Sequence, residues 1–222
     1  KYIRSFMKKF GEKDKLQLIY NFKKDPFGES KYFSDSWGTF EIYVKNKDLC
    51  RVTMYGETRK YEWNLVYITE WLVYNLEYII GYDPFPLFQS DKNLNDMLEI
   101  ACNKEWEDDL EFDLWYGALH TWTRRHAWVS ESGGSLISNV SFYRRGNKIE
   151  ITWNNEEEGD LRIKYEYKKG TENIERKYFI EVICEFLANI TEDLYQKDKN
   201  NKTFKELKEK FNFWLRCKEN NW

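Results

Sequence analysis

The spacing of apolar residues predicts the elements in chain order. Phe40, Ile42 and Val44 alternate within Thr39-Phe40-Glu41-Ile42-Tyr43-Val44, the pattern of a strand with one buried face. Asn46-Lys47-Asp48 reads as a turn. Cys50, Val52 and Met54 alternate in a second strand, Gly56-Glu57-Thr58 turns again, and Tyr61 to Trp63 gives a third. This is an antiparallel meander. The period then changes to the helical one. Leu65, Ile68, Leu72, Leu76 and Ile79 form one stripe, so residues 65–80 read as an amphipathic helix. Asn64 supplies its cap, and Gly81 with Pro84 and Pro86 ends it. Leu94, Leu98 and Ala101 mark a second helix at 92–103, and a long third runs over 107–129 to a stop at Gly133-Gly134.

A second period-two region follows. Val140 and Phe142 precede Gly146-Asn147, a two-residue hairpin signal, and Ile149, Ile151 and Trp153 alternate after it. Beyond the acidic stretch 156–160, Leu161, Ile163, Tyr165 and Tyr167 alternate again, so 140–167 is expected to be a meander with Phe142, Ile149, Ile151, Trp153 and the odd positions from Leu161 to Tyr167 mostly buried. The last third is helical. Ile174, Tyr178, Val182, Phe186, Ile190 and Leu194 form a stripe widened by Phe179, Ile183 and Leu187. Phe204, Leu207, Phe211 and Trp214 mark a final helix. The class is α+β: two antiparallel meanders, each followed by helices, sharing one core. One domain over 1–222 is expected, divisible into sub-units 25–130 and 131–222.

Composition supports a packed domain. The 222 residues are 41% hydrophobic and 33% charged, enough apolar material for a sizeable core. Aromatic residues reach 18%, with only 11 Gly and 3 Pro, which excludes collagen-like, linker-like and disordered chains. The net charge of −3 argues against a surface basic all round. The charges are blocked, however. Residues 1–24 carry eight bases against two acids, 91–113 nine acids against two bases, and 197–222 eight bases against four acids. Cys50, Cys102, Cys184 and Cys217 are too dispersed for a zinc or redox motif, and three of them fall on predicted apolar faces. A reduced, cytoplasmic protein is expected. No apolar run approaches the ~20 residues of a membrane span, so no membrane partner is expected. Lys1-Tyr2-Ile3-Arg4 lacks both a signal-peptide core and an initiator Met, which points to a trimmed or incomplete start.

The familiar catalytic motifs are missing: no P-loop, GxGxxG, GxSxG or HExxH occurs. His120 and His126, six apart, fall on different helix faces and cannot clamp one metal together. No metal, cofactor or catalytic residue is assigned. Glu105, Glu107, Asp108, Asp109, Glu111 and Asp113 form the densest acidic run. Acids at a helix start are favoured by the dipole; a metal or a basic partner is the alternative.

One stretch is dense in bases and aromatics. Trp122-Thr123-Arg124-Arg125-His126-Ala127-Trp128 precedes Phe142-Tyr143-Arg144-Arg145 and Ile149-Glu150-Ile151-Thr152-Trp153. The predicted helix end and hairpin bring these to one corner. Arg124, Arg125, His126, Trp128, Arg144, Arg145 and Trp153 are the candidate ligand- or partner-binding set. Guanidinium forks grip carboxylate or phosphate and stack on aromatic planes, so an anionic ligand or an acidic peptide suits them. The structural alternative has Arg125 and His126 serving the helix C-terminus, Arg144 or Arg145 pairing with Glu150, and the tryptophans in the core. Alternation puts Arg144 on the Phe142 face as the structural one and Arg145 on the Tyr143 face as the exposed contact.

Trp122 followed by Arg125-His126, then Gly133-Gly134, then Phe142-Tyr143-Arg144-Arg145-Gly146-Asn147 and Ile149-Glu150-Ile151-Thr152-Trp153, resembles an uncharacterised region of bacterial proteins that carry an ImmA/IrrE-type metallopeptidase domain. Trp37-Gly38-Thr39-Phe40-Glu41-Ile42-Tyr43-Val44, Leu49-Cys50, and Trp71-Leu72 ahead of Pro84 and Pro86 resemble the start of the same region, for a span of about residues 37–190. The peptidase HExxH is absent, so peptidase activity does not carry over. The resemblance implies an accessory, sensing or regulatory module in bacterial stress response, mobile elements or phage defence. Three functions compete. The first is a non-catalytic module binding a protein partner or anionic ligand through the Arg/His/Trp corner. The second is a nucleic-acid-binding subunit using the basic ends and stacking aromatics. The third is a nuclease-like enzyme built on His126 and the acidic run.

Overall fold

The structure is a computed structural model and describes residues 7–27, 36–128, 136–156 and 163–219. Gly133-Gly134, Leu161 and most of the acidic stretch 156–160 lie outside the described residues. The fold is α+β, as the periodicity predicts.

The first sheet begins earlier than the reading above does. β1 (Lys8–Glu12) and β2 (Leu16–Phe22) form a hairpin, and β2 pairs with β3 (Trp37–Val44). Leu16, Leu18, Tyr20 and Phe22 alternate toward the core beside Phe40, Ile42 and Val44. A two-residue turn at Lys45 and Asn46, both at positive φ, leads into β4 (Lys47–Asp48), so pairing resumes within the segment expected to be turn. The free end of β3 takes β7 (Tyr61–Asn64). Between them, β5 (Val52–Met54) and β6 (Glu57–Arg59) leave this sheet; Cys50 lies in the turn before β5.

Three helices follow: α1 (Leu65–Ile80), α2 (Leu94–Cys102) and α3 (Asp109–His126). Asn64 is the N-cap of α1 and Gly81 its C-cap. α3 runs directly into β8 (Ala127–Trp128), the edge of a second antiparallel sheet containing β9 (Val140–Arg145), β10 (Lys148–Asn154) and β12 (Lys169–Glu175). The hairpin β9–β10 has the expected register, with Ile149, Ile151 and Trp153 buried opposite Arg144, Phe142 and Val140.

The strand beyond β10 differs from expectation. β11 (Ile163–Tyr165) joins β5 and β6 in a third sheet, and β12 takes the place beside β10. β12 escapes a periodicity reading because Ile174 is its only apolar residue, and Ile174 also fits the register of the following helix. The strand is specified by its partner: a Cβ at Gly170 would stand 2.2 Å from the Trp153 ring, so only glycine lets β12 cross that indole.

α4 (Arg176–Lys197) and α5 (Lys202–Glu219) complete the chain. One apolar core runs from Phe10 to Phe211 and draws on both large sheets, α1, α4 and α5. β10 is buried on both faces. Ile149, Ile151 and Trp153 enter this core, while Glu150 and Thr152 are buried on the other side. There Phe85, Leu94, Met97, Ala101, Leu119 and Trp122 form a second, smaller cluster under α2 and α3. The cysteines depart from expectation: Cys50 is buried and Cys184 half-buried, but Cys102 and Cys217 are exposed. No helix among the described residues is long and apolar enough to cross a membrane.

Candidate functional site

Of the seven residues expected at one corner the structure joins Arg125 and His126, and the centre of their network is a residue the sequence reading passes over. Asp83 lies in the short segment between the end of α1 and Pro84. Arg125 Nε donates to Asp83 Oδ2 at 3.1 Å, and its Nη2 lies 3.0 Å from the same oxygen. His126 Nε2 is 3.0 Å from Oδ2, and Trp122 Nε1 donates to the Asp83 carbonyl at 3.2 Å. The Trp122 and His126 rings stack with centroids 4.0 Å apart. The Arg125 guanidinium lies over the Tyr78 ring at 4.8 Å.

His126 Nδ1 is 2.8 Å from the Phe142 carbonyl oxygen, which ties the helix end to β9. Both ring nitrogens therefore face acceptors. A neutral ring donates to one of them; the imidazolium donates to both. The ring is buried, and burial pushes its pKa below the ordinary value, against the opposing pull of Asp83 and the Phe142 carbonyl. Asp83, Tyr78 and Phe142 hold Trp122, Arg125 and His126 in a closed network, the arrangement of a brace at the junction of α1, α3 and β9.

Both arginines of β9 are half-buried and bonded internally, as expected of Arg144 but not of Arg145. Arg145, assigned to an exposed face, spends its donors inside the protein. Its Nε donates to Glu150 Oε2 at 2.6 Å, its Nη1 to the Ser90 carbonyl at 3.2 Å, and its Nη2 to the Lys92 carbonyl. Glu150 in turn accepts from the Leu94 backbone N–H at the start of α2, at 2.5 Å. The reason is the two-sided burial of the second sheet: its Tyr143–Glu150 face lies under α2 and the loop before it, not in water. The structural alternative of an Arg–Glu150 pair is thus realised by Arg145. Arg144 donates instead to the carbonyls of Gly146, at 3.1 Å, and of Ile80, at 3.4 Å. The latter is the last residue of α1, whose dipole favours a cation there. Arg176 Nε donates to the same Ile80 oxygen at 2.8 Å.

The remaining candidates disperse. Trp128 is in the main core, its Nε1 donating to the Ser138 carbonyl at 3.0 Å and its ring set against Phe142, Phe40 and Trp71. Trp153 is buried at the far end of the hairpin, beside Gly170. Arg124 alone of the seven is exposed; its carbonyl accepts from Trp71 Nε1. His120 lies on the outer face of α3, away from His126.

The acids before and within the first turn of α3 satisfy the dipole reading in part. Asp108 is the N-cap, its side chain accepting from Glu111 N–H at 2.9 Å. Among the described residues no group of three His, Cys, Asp or Glu side chains is placed to hold a metal ion. What the reading above misses is apolar. Leu110, Phe112, Leu114 and Tyr116 are exposed at 67%, 46%, 68% and 53%, all on the first half of α3. The signal is in the sequence: Asp109-Leu110-Glu111-Phe112-Asp113-Leu114 alternates acid and apolar residues within a helix, so no single buried face can absorb them all.

Comparison with protein-family models, with curated proteins and with solved structures returns no match.

Proposed function

We propose that this protein is a non-catalytic interaction module that binds a protein partner, with the exposed half of α3 as the contact and the Arg/His/Trp corner as the brace that holds α3 in place. The observation that carries the reading is the exposure of four large apolar residues on two successive helical turns, Leu110 with Leu114 on one flank and Phe112 with Tyr116 on the other. The corner itself supports a scaffold role, because Arg125, His126 and Arg145 spend their donors on Asp83, Phe142, Glu150 and loop carbonyls. The bacterial regulatory setting implied by the resemblance, in stress response or phage defence, belongs to this proposal.

The test is in-cell cross-linking of the tagged chain, with the sites mapped by mass spectrometry, beside hydrolysis assays on the purified protein. Cross-links to a partner that concentrate on residues 105–120 and vanish in Leu114→Glu are expected, with no cleavage of casein in zinc or of single-stranded DNA in magnesium. Chelator-sensitive cleavage, or cross-links indifferent to Leu114→Glu, overturns the reading.

A further inference from the structure

The exposed half of α3 also carries information about what it meets. Leu110, Leu114, Gly117 and Thr121 recur at the four- and three-residue steps that make one stripe along a helix, ~16 Å long at 1.5 Å per residue. Asp109, Glu111 and Asp113 border its first turns and are all exposed. On the opposite flank of the helix, roughly half a turn round, Phe112, Tyr116 and His120 stack on one another with centroids 5.8 and 5.7 Å apart, a separate row of rings.

Gly117 is the second observation. It sits in the middle of an 18-residue helix, where glycine costs up to ~1 kcal/mol relative to alanine. Among the described residues nothing demands it: a Cβ built there meets no atom of them within 4 Å. A notch in the centre of an apolar stripe allows another backbone to approach closely, which is the use glycine has on helix surfaces.

We infer that this face docks an amphipathic helix of a partner protein whose apolar stripe is flanked by Lys or Arg. The inference rests on the interaction reading above and adds the partner's chemistry. The straight apolar stripe fits a helix, the notch fits its close approach, and the acids on the rim fit its cations. Two other occupants are disfavoured by charge. A second copy packed parallel, stripe against stripe, sets acid against acid. Nucleic acid would bring phosphates to carboxylates.

The probes are two synthetic helical peptides with the same Leu stripe, one with Lys and one with Glu at the flanking positions, titrated by fluorescence anisotropy against the full chain. The Lys-flanked peptide is expected to bind, at least tenfold more weakly to Leu114→Glu and several-fold more weakly to Gly117→Leu, with affinity falling as salt rises; the Glu-flanked peptide is expected not to bind. Leu114→Ser repeats the test should Leu114→Glu lower the melting temperature. Equal binding of both peptides, binding of neither, or indifference to the position 114 variants overturns the inference. So does concentration-dependent self-association in sedimentation that Leu114→Glu abolishes. If the peptides fail while in-cell cross-links still concentrate on α3, the partner chemistry is wrong and the interaction reading stands; if those cross-links are indifferent to Leu114→Glu, the interaction reading itself falls.

Discussion

Arg124 and Arg145 show how far surroundings outweigh residue type. Both belong to arginine pairs in the basic–aromatic stretch, yet one is exposed and the other is bonded to Glu150, which keeps only 4% of its side-chain surface in water. Removing Arg145 strands that carboxylate, and breaking a buried pair in this way costs ~3–5 kcal/mol. Arg145→Ala is therefore expected to lose about that much in chemical denaturation, while Arg124→Ala stays within ~0.5 kcal/mol of the parent. Equal effects of the two would contradict the assignment. The difference was not legible in the sequence. The acceptors that settle it, the carbonyls of Ser90 and Lys92, are backbone atoms more than fifty residues away, and no side-chain pattern announces them. Asp83 escaped for a related reason: it is a single acid in a loop, and only the fold reveals that Trp122, Arg125 and His126 all turn toward it.

Elements were readable where one face is apolar and both ends are punctuated. β3, α1 and the β9–β10 hairpin meet that condition. β2 meets it too, through Leu16, Leu18, Tyr20 and Phe22, and was hidden only by the basic residues around it. β12 does not, since its place is dictated by Trp153 across the ladder. Two glycines give the same contrast as an experiment. Gly170→Ala drives a methyl into a buried indole and is expected to cost ~1–3 kcal/mol through overpacking. Gly117→Ala meets open space within a helix and is expected to stabilise by up to ~1 kcal/mol. Thermal melts of the two variants should move in opposite directions; a lower melting temperature for Gly117→Ala would show that the notch serves the folded chain itself.

At the scale of the whole molecule, two buried groups set opposing slopes in stability against pH. His126 lies below its ordinary pKa because burial disfavours its cation, with Asp83 and Arg125 as its charged neighbours. The unfolded chain takes that proton first, so the contribution is full above about 6.5 and is lost as pH falls from there through the lower folded value. Asp48 acts in reverse. Burial, reinforced by Glu41, pushes its carboxyl from 3.8 up to about 6, with Tyr43 and Lys60 pulling the other way. The folded protein takes this proton first, so a penalty at neutral pH is relieved as pH falls through 6 toward the unfolded value. Asp48→Asn removes the penalty. It is expected to be more stable than the parent at pH 7, by at most ~3 kcal/mol at 1.36 kcal/mol per pKa unit, with the advantage fading by about pH 4. Urea unfolding across that range is the measurement, and an advantage independent of pH would remove Asp48 as its source. The brace around Asp83 has a bearing on how relatives of this chain should be read. Trp122, Arg125 and His126 are the polar and aromatic residues an evolutionary ranking would flag first, and here natural selection would preserve them to keep three elements joined. Asp83 and Arg125 should be inherited together, lost together or exchanged as a pair, whereas the stripe on α3 should drift in step with whatever it binds.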